Sequence, residues 1–194
     1  MMDSTIWGQL KTGDKTALER IYRDHAAALI KYGRKFSADG QMVEDCLQDL
    51  FIELWKNREG LGNTDSIRKY LLVALRRKII RALGNSKITG QEPEEHHFTA
   101  VFDIESQWEL EEWDNERRKQ LQKALESLSK RQQEVLYLKY FMDMDYAQIG
   151  EIMELNYQSA RNLAYRALEA MRDLMLVLAW ILPAAAFQKI FGGM

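Results

Sequence analysis

Residues 145–171 read DYAQIGEIMELNYQSARNLAYRALEAM, a stretch whose apolar spacing predicts two helices joined by a tight turn. In the first helix we expect these side chains to face inward: Ala147, Ile149, Ile152 and Met153. In the second helix the expected inward residues are Ala160, Leu163, Ala167 and Leu168. Glu154, Leu155 and Asn156 fit the turn, because the Asn156 side chain can accept hydrogen bonds from the free N–H groups of the second helix. The stretch therefore predicts a helix-turn-helix.

The outer face of the second helix is polar. Its side chains are Gln158, Ser159, Arg161, Asn162, Tyr165 and Arg166. Arginine can pair with guanine edges, glutamine and asparagine with adenine edges, and serine and tyrosine with phosphates. Each well-formed bidentate contact discriminates between bases by about 1–3 kcal/mol. This face predicts a surface that reads duplex DNA, and an ordinary helical hairpin with a solvated face is the alternative.

The rest of the 194-residue chain also favours helices. Apolar residues recur near every 3.6 positions, and no stretch keeps the two-residue alternation of a half-buried strand. We predict an all-α protein with two small helical domains joined by an acidic linker. The predicted boundaries are 5–85 for the first domain, 86–115 for the linker, 116–175 for the second domain and 176–194 for an apolar C-terminal extension.

Charge is distributed unevenly along the chain, although the formal net charge is only −2. Residues 66–91 contain seven Lys or Arg and no acid, whereas residues 92–116 contain ten acids and no Lys or Arg. In a helix over 66–83 the side predicted to be apolar carries Ile67, Tyr70, Leu71 and Ala74. The other side is predicted to expose Arg68, Lys69, Arg76 and Arg77. This basic side predicts contact with nucleic acid, and a face that is basic only for solubility is the alternative.

A second polar stripe is predicted on the helix over 43–55. Its inward residues are Val43, Cys46, Leu47, Leu50, Phe51 and Leu54, which leave Asp45, Gln48, Asp49 and Glu53 outside. The following loop contains Gly60, Gly62 and Asn63, which can take positive φ angles. The polar groups of the loop are free to meet a ligand, and a loop that serves only to turn the chain is the alternative.

Several functional classes are disfavoured. The sequence has no phosphate-binding glycine loop, no nucleophile elbow and no Cys or His cluster at metal-ligand spacing, so we expect no enzyme, no cofactor and no metal. His96 and His97 lie among acids in the linker, where solvated side chains are the usual outcome. The lone Cys46 predicts a buried, reduced thiol. The N-terminus lacks the pattern of a secretory signal, which predicts a cytoplasmic protein.

The apolar C-terminal extension is the least informative segment. Residues 174–182 form an apolar run of nine, shorter than the roughly 20 residues that a bilayer span requires. We expect no direct membrane insertion and predict a helix that packs against the protein itself. Binding to a partner or to a membrane surface is the alternative.

Three stretches together resemble the extracytoplasmic-function (ECF) subfamily of sigma factors, within the sigma-70 family. They are LKTGDKTALERIYRDHAAALIKYGRKF from residue 10, VEDCLQDLFIELWKNRE from residue 43, and LQKALESLSKRQQEVLYLKYFMDMDYAQIGEIMELNYQSARNLAYRALEAMRDL from residue 121. The resemblance implies a non-enzymatic transcription initiation factor that binds core RNA polymerase at its clamp coiled coil and flap. It also implies binding to promoter DNA, both as duplex and as melted single strand.

The resemblance assigns roles to the predicted surfaces. It implies polymerase binding by Asp45, Gln48, Asp49, Glu53 and Trp55, and recognition of the minus-thirty-five element by the helix over 157–171. It implies that the loop over 57–65 and the next helix melt and hold the minus-ten element, with contacts from Asn63, Arg68, Lys69, Arg76, Arg77 and Lys78. Many relatives have a run similar to RNKIID where this chain has RRKIIR, which leaves base preference open. The linker looks like a tether for the polymerase's RNA channel.

The resemblance further implies control by an anti-sigma factor. The stretch NYQSARNLAYRAL looks most like members from Bacteroidetes. Two other interpretations stay open: a stand-alone helix-turn-helix regulator that binds a palindrome as a dimer, and a purely interacting protein such as an adaptor or sigma antagonist. The last would not need Arg161 and Arg166 for its activity.

Overall fold

The computed structural model of the chain describes residues 2–85, 98–99 and 122–179. Every regular element in these ranges is helical, so the all-α prediction is confirmed. The chain divides into two compact units, Met1–His97 and Phe98–Met194. The predicted organisation as two helical domains agrees with this division.

Over its described residues, 2–85, the first unit contains four α-helices and a short 3₁₀ turn. The helices are α1 (Met2–Lys11), α2 (Lys15–Gly33), α3 (Gly40–Lys56) and α4 (Ile67–Asn85), and the 3₁₀ turn is Arg58–Gly60. Asp14 and Asp39 cap α2 and α3 by accepting backbone hydrogen bonds, at 2.8 Å from the Thr16 N–H and 3.1 Å from the Met42 N–H. Such caps stabilise a helix start by about 1 kcal/mol, which explains where these two helices begin.

The core of the first unit lies where α2, α3 and α4 pack against one another. The six side chains of α3 predicted to face inward are all buried, as expected. Gly33 on α2 lets the three helices approach, because a Cβ there would lie 2.5 Å from the Val43 side chain and 3.1 Å from that of Ile79. Trp7 and Leu10 extend the core onto α1, which also begins earlier than the predicted domain start at residue 5.

The second unit is built on α5 (Lys130–Leu136), α6 (Tyr146–Met153) and α7 (Tyr157–Ala179), preceded by a helical segment over 122–126. A π-helical turn, Tyr137–Phe141, continues α5. Capping boxes begin α5 and α6. In each, the side chain of the residue before the helix accepts a hydrogen bond from the backbone N–H three residues later, and the side chain of that later residue accepts one from the backbone N–H of the first. The capping pairs are Ser129 with Gln132 and Asp145 with Gln148. The long helix α7 packs against both α5 and α6.

Three inward assignments in the second unit need correction. Ala147 is exposed, whereas Ile149, Ile152 and Met153 are buried as expected. On α7 the buried stripe consists of Ala160, Ala164, Ala167 and Met171, and the predicted Leu163 and Leu168 are only half-buried beside it. The prediction placed the larger leucines at the packing surface of α7. Alanines form most of that surface instead, and their small size lets α7 approach its neighbours closely.

Part of the predicted linker belongs to the second unit. Phe98 is fully buried, and its ring packs edge-on against that of Tyr137, with ring centres 5.8 Å apart. The Lys130 ammonium lies 3.5 Å from the Thr99 hydroxyl. A tether over the whole of 86–115 is therefore the wrong description at Phe98, because burial of this ring fixes the chain to α5 and its π-helical turn.

The remaining linker assignments, including His96 and His97, lie outside the described residues. The same holds for residues 180–194 of the predicted extension, although α7 continues to Ala179, past the predicted domain end at residue 175. Within the described helices, none has the length and apolar content to cross a membrane.

Candidate nucleic-acid interface

The turn between α6 and α7 has the geometry of a helix-turn-helix. Glu154 ends α6 in the left-handed conformation, with φ 57° and ψ 47°. The Leu155 N–H then donates to the Gly150 carbonyl at 2.7 Å. Asn156 caps α7 as predicted, since its side-chain oxygen accepts a hydrogen bond from the Ser159 N–H at 2.7 Å. These bonds fix the direction in which α7 leaves the turn.

Gly150 is a turn residue that the sequence analysis missed. A Cβ at this position would lie 2.7 Å from the Leu155 carbonyl oxygen, a backbone atom that cannot move without opening the turn. A glycine six residues before the cap of the second helix was visible in the sequence. Its role was not, because the close approach depends on how the chain folds back at Glu154.

The predicted recognition face of α7 is largely open to solvent. Of its six residues, the exposed ones are Gln158, Arg161, Asn162, Tyr165 and Arg166, and Ser159 is half-buried. The Gln158 amide donates to the Asn162 side-chain oxygen at 3.1 Å, so two of the predicted base-reading groups are held together. Tyr165 is 52% exposed, which is high for a large aromatic side chain.

Aromatic and cationic groups from the neighbouring elements extend this face. Tyr146 on α6 lies edge-on to Tyr157 on α7, with ring centres 6.2 Å apart. The Lys139 ammonium lies 4.9 Å from the centre of the Tyr146 ring. Burial raises the pKa of Tyr146, and the positive charge of Arg161 opposes that shift, which indicates that Arg161 is near this cluster. Lys139 and Tyr146 were not predicted from the sequence, because they join this face only when their elements pack near α7, and Tyr157 was overlooked at the start of α7.

In the first unit, the predicted acidic stripe of α3 is exposed as expected. All four of its members, Asp45, Gln48, Asp49 and Glu53, are exposed. Trp55 is half-buried, and the Arg58 guanidinium lies 4.5 Å above its ring centre. Ile52 on α3 and Tyr22 on α2 add exposed apolar area to this region, at 50% and 47% exposure.

The predicted basic face of α4 is narrower than the sequence indicated. Arg76 is only 3% exposed, so the prediction that it projects outward is wrong. It lies on a buried stripe with Leu72, Leu75 and Ile79, because α4 packs against both α2 and α3 and has two buried sides instead of one. Arg77 is exposed, as is Arg81 one turn later.

Two other predicted DNA contacts of α4 are engaged in ion pairs. The Lys78 ammonium lies 2.6 Å from a Glu53 carboxylate oxygen, which joins α4 to the acidic stripe of α3. The Lys69 ammonium lies 2.9 Å from Asp65 in the loop, and this hydrogen bond is the main cause that lowers the pKa of Asp65. Lys69 and Lys78, together with Arg68, are half-buried. Contact with a phosphate through Lys69 or Lys78 would compete with these carboxylates.

The loop over 57–66, which joins α3 to α4, is held by α1. The Trp7 indole N–H donates to the Gly62 carbonyl at 2.8 Å, and Asp3 accepts a hydrogen bond from the Ile67 N–H at 3.0 Å. Asn63 is exposed, and its side-chain oxygen lies 3.4 Å from the Lys11 ammonium. The positive φ angles suggested for Gly60, Gly62 and Asn63 do not occur. The contact of α1 with the loop could not be predicted from the sequence, because more than 50 residues separate the partners.

No group of three or more His, Cys, Asp or Glu side chains in the described ranges could hold a metal ion. Cys46 is a free, buried thiol, and burial is the main cause that raises its pKa.

Comparisons with known proteins identify both units. Residues 21–87 match the family model of sigma-70 region 2, and residues 118–171 match that of sigma-70 region 4. The second unit therefore carries a DNA-binding helix-turn-helix of the sigma-70 type. No curated protein matches the chain.

Two solved structures share the fold. One is CnrH in complex with the cytosolic domain of CnrY, at 17% identity and a TM-score of 0.58, covering 93% of this chain and 99% of that one. The other is the sigma factor RpoE in complex with the anti-sigma factor NepR from Bartonella quintana, at 20% identity and a TM-score of 0.50, covering 84% of this chain and 96% of that one. At these identities the likeness concerns the fold.

Proposed function

We propose that this chain, which carries the region 2 and region 4 domains of the sigma-70 family, is an ECF-type sigma factor that directs core RNA polymerase to specific promoters. The observation that carries the proposal is the presence of both domains in one chain, over residues 21–87 and 118–171. A protein that only binds one duplex site needs a DNA-binding domain such as region 4 and has no need of region 2. The first adds an exposed acidic helix and a loop next to exposed cations, which are the surfaces needed to dock on polymerase and hold melted DNA.

The second unit is proposed to read the minus-thirty-five element. Side chains of the exposed face of α7 enter the major groove, with Arg161 and Arg166 as the strongest candidates for base or phosphate contact. Gln158 and Asn162 form a bonded pair that can present donors and acceptors in a fixed arrangement. Lys139 and the two tyrosines beside Arg161 add contacts to the backbone of the duplex.

The first unit is proposed to bind the polymerase clamp through α3 and to hold the melted minus-ten element through the loop over 57–66 and α4. The acidic stripe of α3 suits a basic partner surface. Arg77 and Arg81 on α4 supply accessible positive charge for single-stranded phosphates, while Arg76 serves the core. Extruding a base costs a few kcal/mol, which the loop and these cations must offset.

Control by an anti-sigma factor is part of the proposal. The two solved structures described above were determined with a bound partner, and one of these partners is called an anti-sigma factor. The exposed surfaces of α3 and α7 are the ones such a partner must cover to prevent binding to polymerase and DNA. The Bacteroidetes lineage stays a prediction.

One experiment tests the proposal directly. The purified chain is added to sigma-free core polymerase on genomic DNA, and the 5′ ends of the transcripts are sequenced. We expect transcripts that start downstream of a shared asymmetric pair of elements at fixed separation. Failure of the chain to bind core polymerase, or a lack of defined start sites, would contradict the proposal.

A matched pair of variants separates the sigma factor from the two rival functions. Replacing Arg161 and Arg166 by Ala should reduce transcription from a promoter with an intact minus-thirty-five element by about 30-fold or more, since each contact supplies about 1–3 kcal/mol. Binding to core polymerase should persist. Lys123→Ala, an exposed cation elsewhere in the unit, is the control. An unaffected double variant favours an adaptor, and tight binding of a palindrome by the chain alone favours a stand-alone regulator.

A further inference from the structure

The N-terminal helix α1 makes an unusual set of contacts with the loop over 57–66. Three of its side chains, spaced one turn apart along one side of the helix, reach the loop and the start of α4: Asp3, Trp7 and Lys11. Their partners are Ile67, Gly62 and Asn63, which all lie within six consecutive positions of the chain. A single helix face therefore holds the loop at several points.

The first of these contacts adds a second cap to the start of α4. The start of α4 has free N–H groups, like any helix. Ser66 satisfies one locally, since its hydroxyl accepts from the Lys69 N–H at 3.2 Å. The Ile67 N–H is satisfied by Asp3, 64 residues earlier, at 3.0 Å. Asp3 thus supplements the Ser66 cap and joins the start of α4, where the loop ends, to α1.

The second contact fixes the middle of the loop. Trp7 is only 2% exposed, and its ring packs edge-on against Tyr70 with ring centres 4.9 Å apart. The buried indole thus has one orientation, and its N–H holds the Gly62 carbonyl at 2.8 Å. Gly62 and Asn63 are themselves exposed, so the loop presents an open surface on a fixed backbone.

We propose that α1 is a positioning element for capture of the unpaired minus-ten base, with Asp3 and Trp7 setting the loop conformation that the base enters. This inference rests on the proposed sigma function and deepens it. The loop should bind an extruded base more tightly if its conformation is already fixed in the free protein, because less conformational entropy is then lost on binding. Neither residue needs to touch DNA for this effect.

The test uses the full chain bound to core polymerase and fork-junction DNA that carries the minus-ten element found by 5′-end sequencing. Affinity is measured for the fork with its unpaired base and for the same fork with an abasic site. The ratio of the two affinities reports base capture. A substitution that merely lowers the amount of folded protein changes both affinities together and leaves the ratio unchanged.

Asp3→Ala removes the acceptor for the Ile67 N–H, and Asp3→Asn retains an acceptor oxygen without the charge. We expect Asp3→Ala to lower the ratio by about fivefold, as for loss of a helix cap that is coupled to the loop, and Asp3→Asn to restore most of it. Binding of duplex minus-thirty-five DNA and of core polymerase should stay unchanged. Glu19→Ala, an exposed acid on α2, controls for the loss of charge.

Trp7→Phe is the second variant, since it keeps a ring against Tyr70 but removes the indole N–H. It should also lower the ratio, and a thermal melt establishes that it is folded. If Trp7→Phe does not fold, the Asp3 pair still decides the outcome. Unchanged ratios in folded Asp3→Ala overturn the role of α1. A wild-type holoenzyme that shows no preference for the base over the abasic site instead contradicts the proposed minus-ten function itself.

Discussion

The two units hold their candidate surfaces by contacts of different range. In the second unit, the bonds that shape the turn join residues three to five positions apart: Ser159 with Asn156 and Leu155 with Gly150. In the first unit, the bonds that shape the loop join Trp7 with Gly62 and Asp3 with Ile67, 55 and 64 positions apart. A surface shaped by local contacts should be disrupted by substitutions close to it in the sequence and not by distant ones. The loop over 57–66 should instead be disrupted by substitutions far from it in the sequence.

The largest effect is expected from Gly150→Val in the local turn. The new Cβ would lie 2.7 Å from the Leu155 carbonyl oxygen, so the turn must open or α6 must shift. We expect the second unit to lose about 1–3 kcal/mol of stability, measured by hydrogen exchange of α6 and α7 peptides. Ala147→Val, at an exposed position on the same helix, should cost far less. Equal effects of the two variants would argue against a tight turn at Gly150.

A smaller effect is expected from Asn156→Ala, which removes the cap of α7. The Ser159 N–H loses its acceptor, and the start of α7 should be destabilised by about 1 kcal/mol. Asn156→Asp keeps an acceptor oxygen and should restore most of that loss. The measurement is again hydrogen exchange, and faster exchange in the first unit is not expected. Loss of protection in the loop over 57–66 as well would contradict a purely local effect of the Asn156 cap.

A double-mutant cycle on Glu53 and Lys78 measures one long-range contact in the first unit. These side chains join α3 to α4 at 2.6 Å, and their side-chain exposures of 60% and 20% imply a coupling of about 0.2–1 kcal/mol. The control pair is Arg20 with Asp24, a local ion pair on α2 at 3.6 Å with both partners about half exposed. We expect stronger coupling in the first pair. If the coupling of Glu53 with Lys78 is no larger than that of the control pair, this ion pair does not help to position α4.

The smallest effect concerns the thiol of Cys46, the single cysteine of the chain. Its burial in α3 and its raised pKa both predict slow alkylation in the native protein, with a rate set by opening of the first unit. Gly33→Ala, whose Cβ would meet Val43 at 2.5 Å, should speed alkylation. Gly150→Val should leave the rate as it is. Faster alkylation in Gly150→Val would show that damage to the second unit reaches the first.

The sequence by itself determined the helical fold class, the two-domain organisation and most of the exposed polar face of α7. It succeeded because these features depend on residues that lie within one or two turns of each other. Asn156, for example, caps the helix that it immediately precedes. The inward side of α3 was predictable for the same reason, since a helix with one buried side shows that side in its periodicity.

Only the tertiary structure decided which cations of α4 are accessible and how the loop before it is held. Arg76 was misassigned because α4 packs against two helices, and a second buried side removes the simple amphipathic pattern on which the prediction relied. The same limit applies to Asp3, Trp7 and Phe98, whose partners lie far along the chain or across a helix packing surface. Spacing in sequence carries no signal for such contacts, because they exist only after the helices have packed.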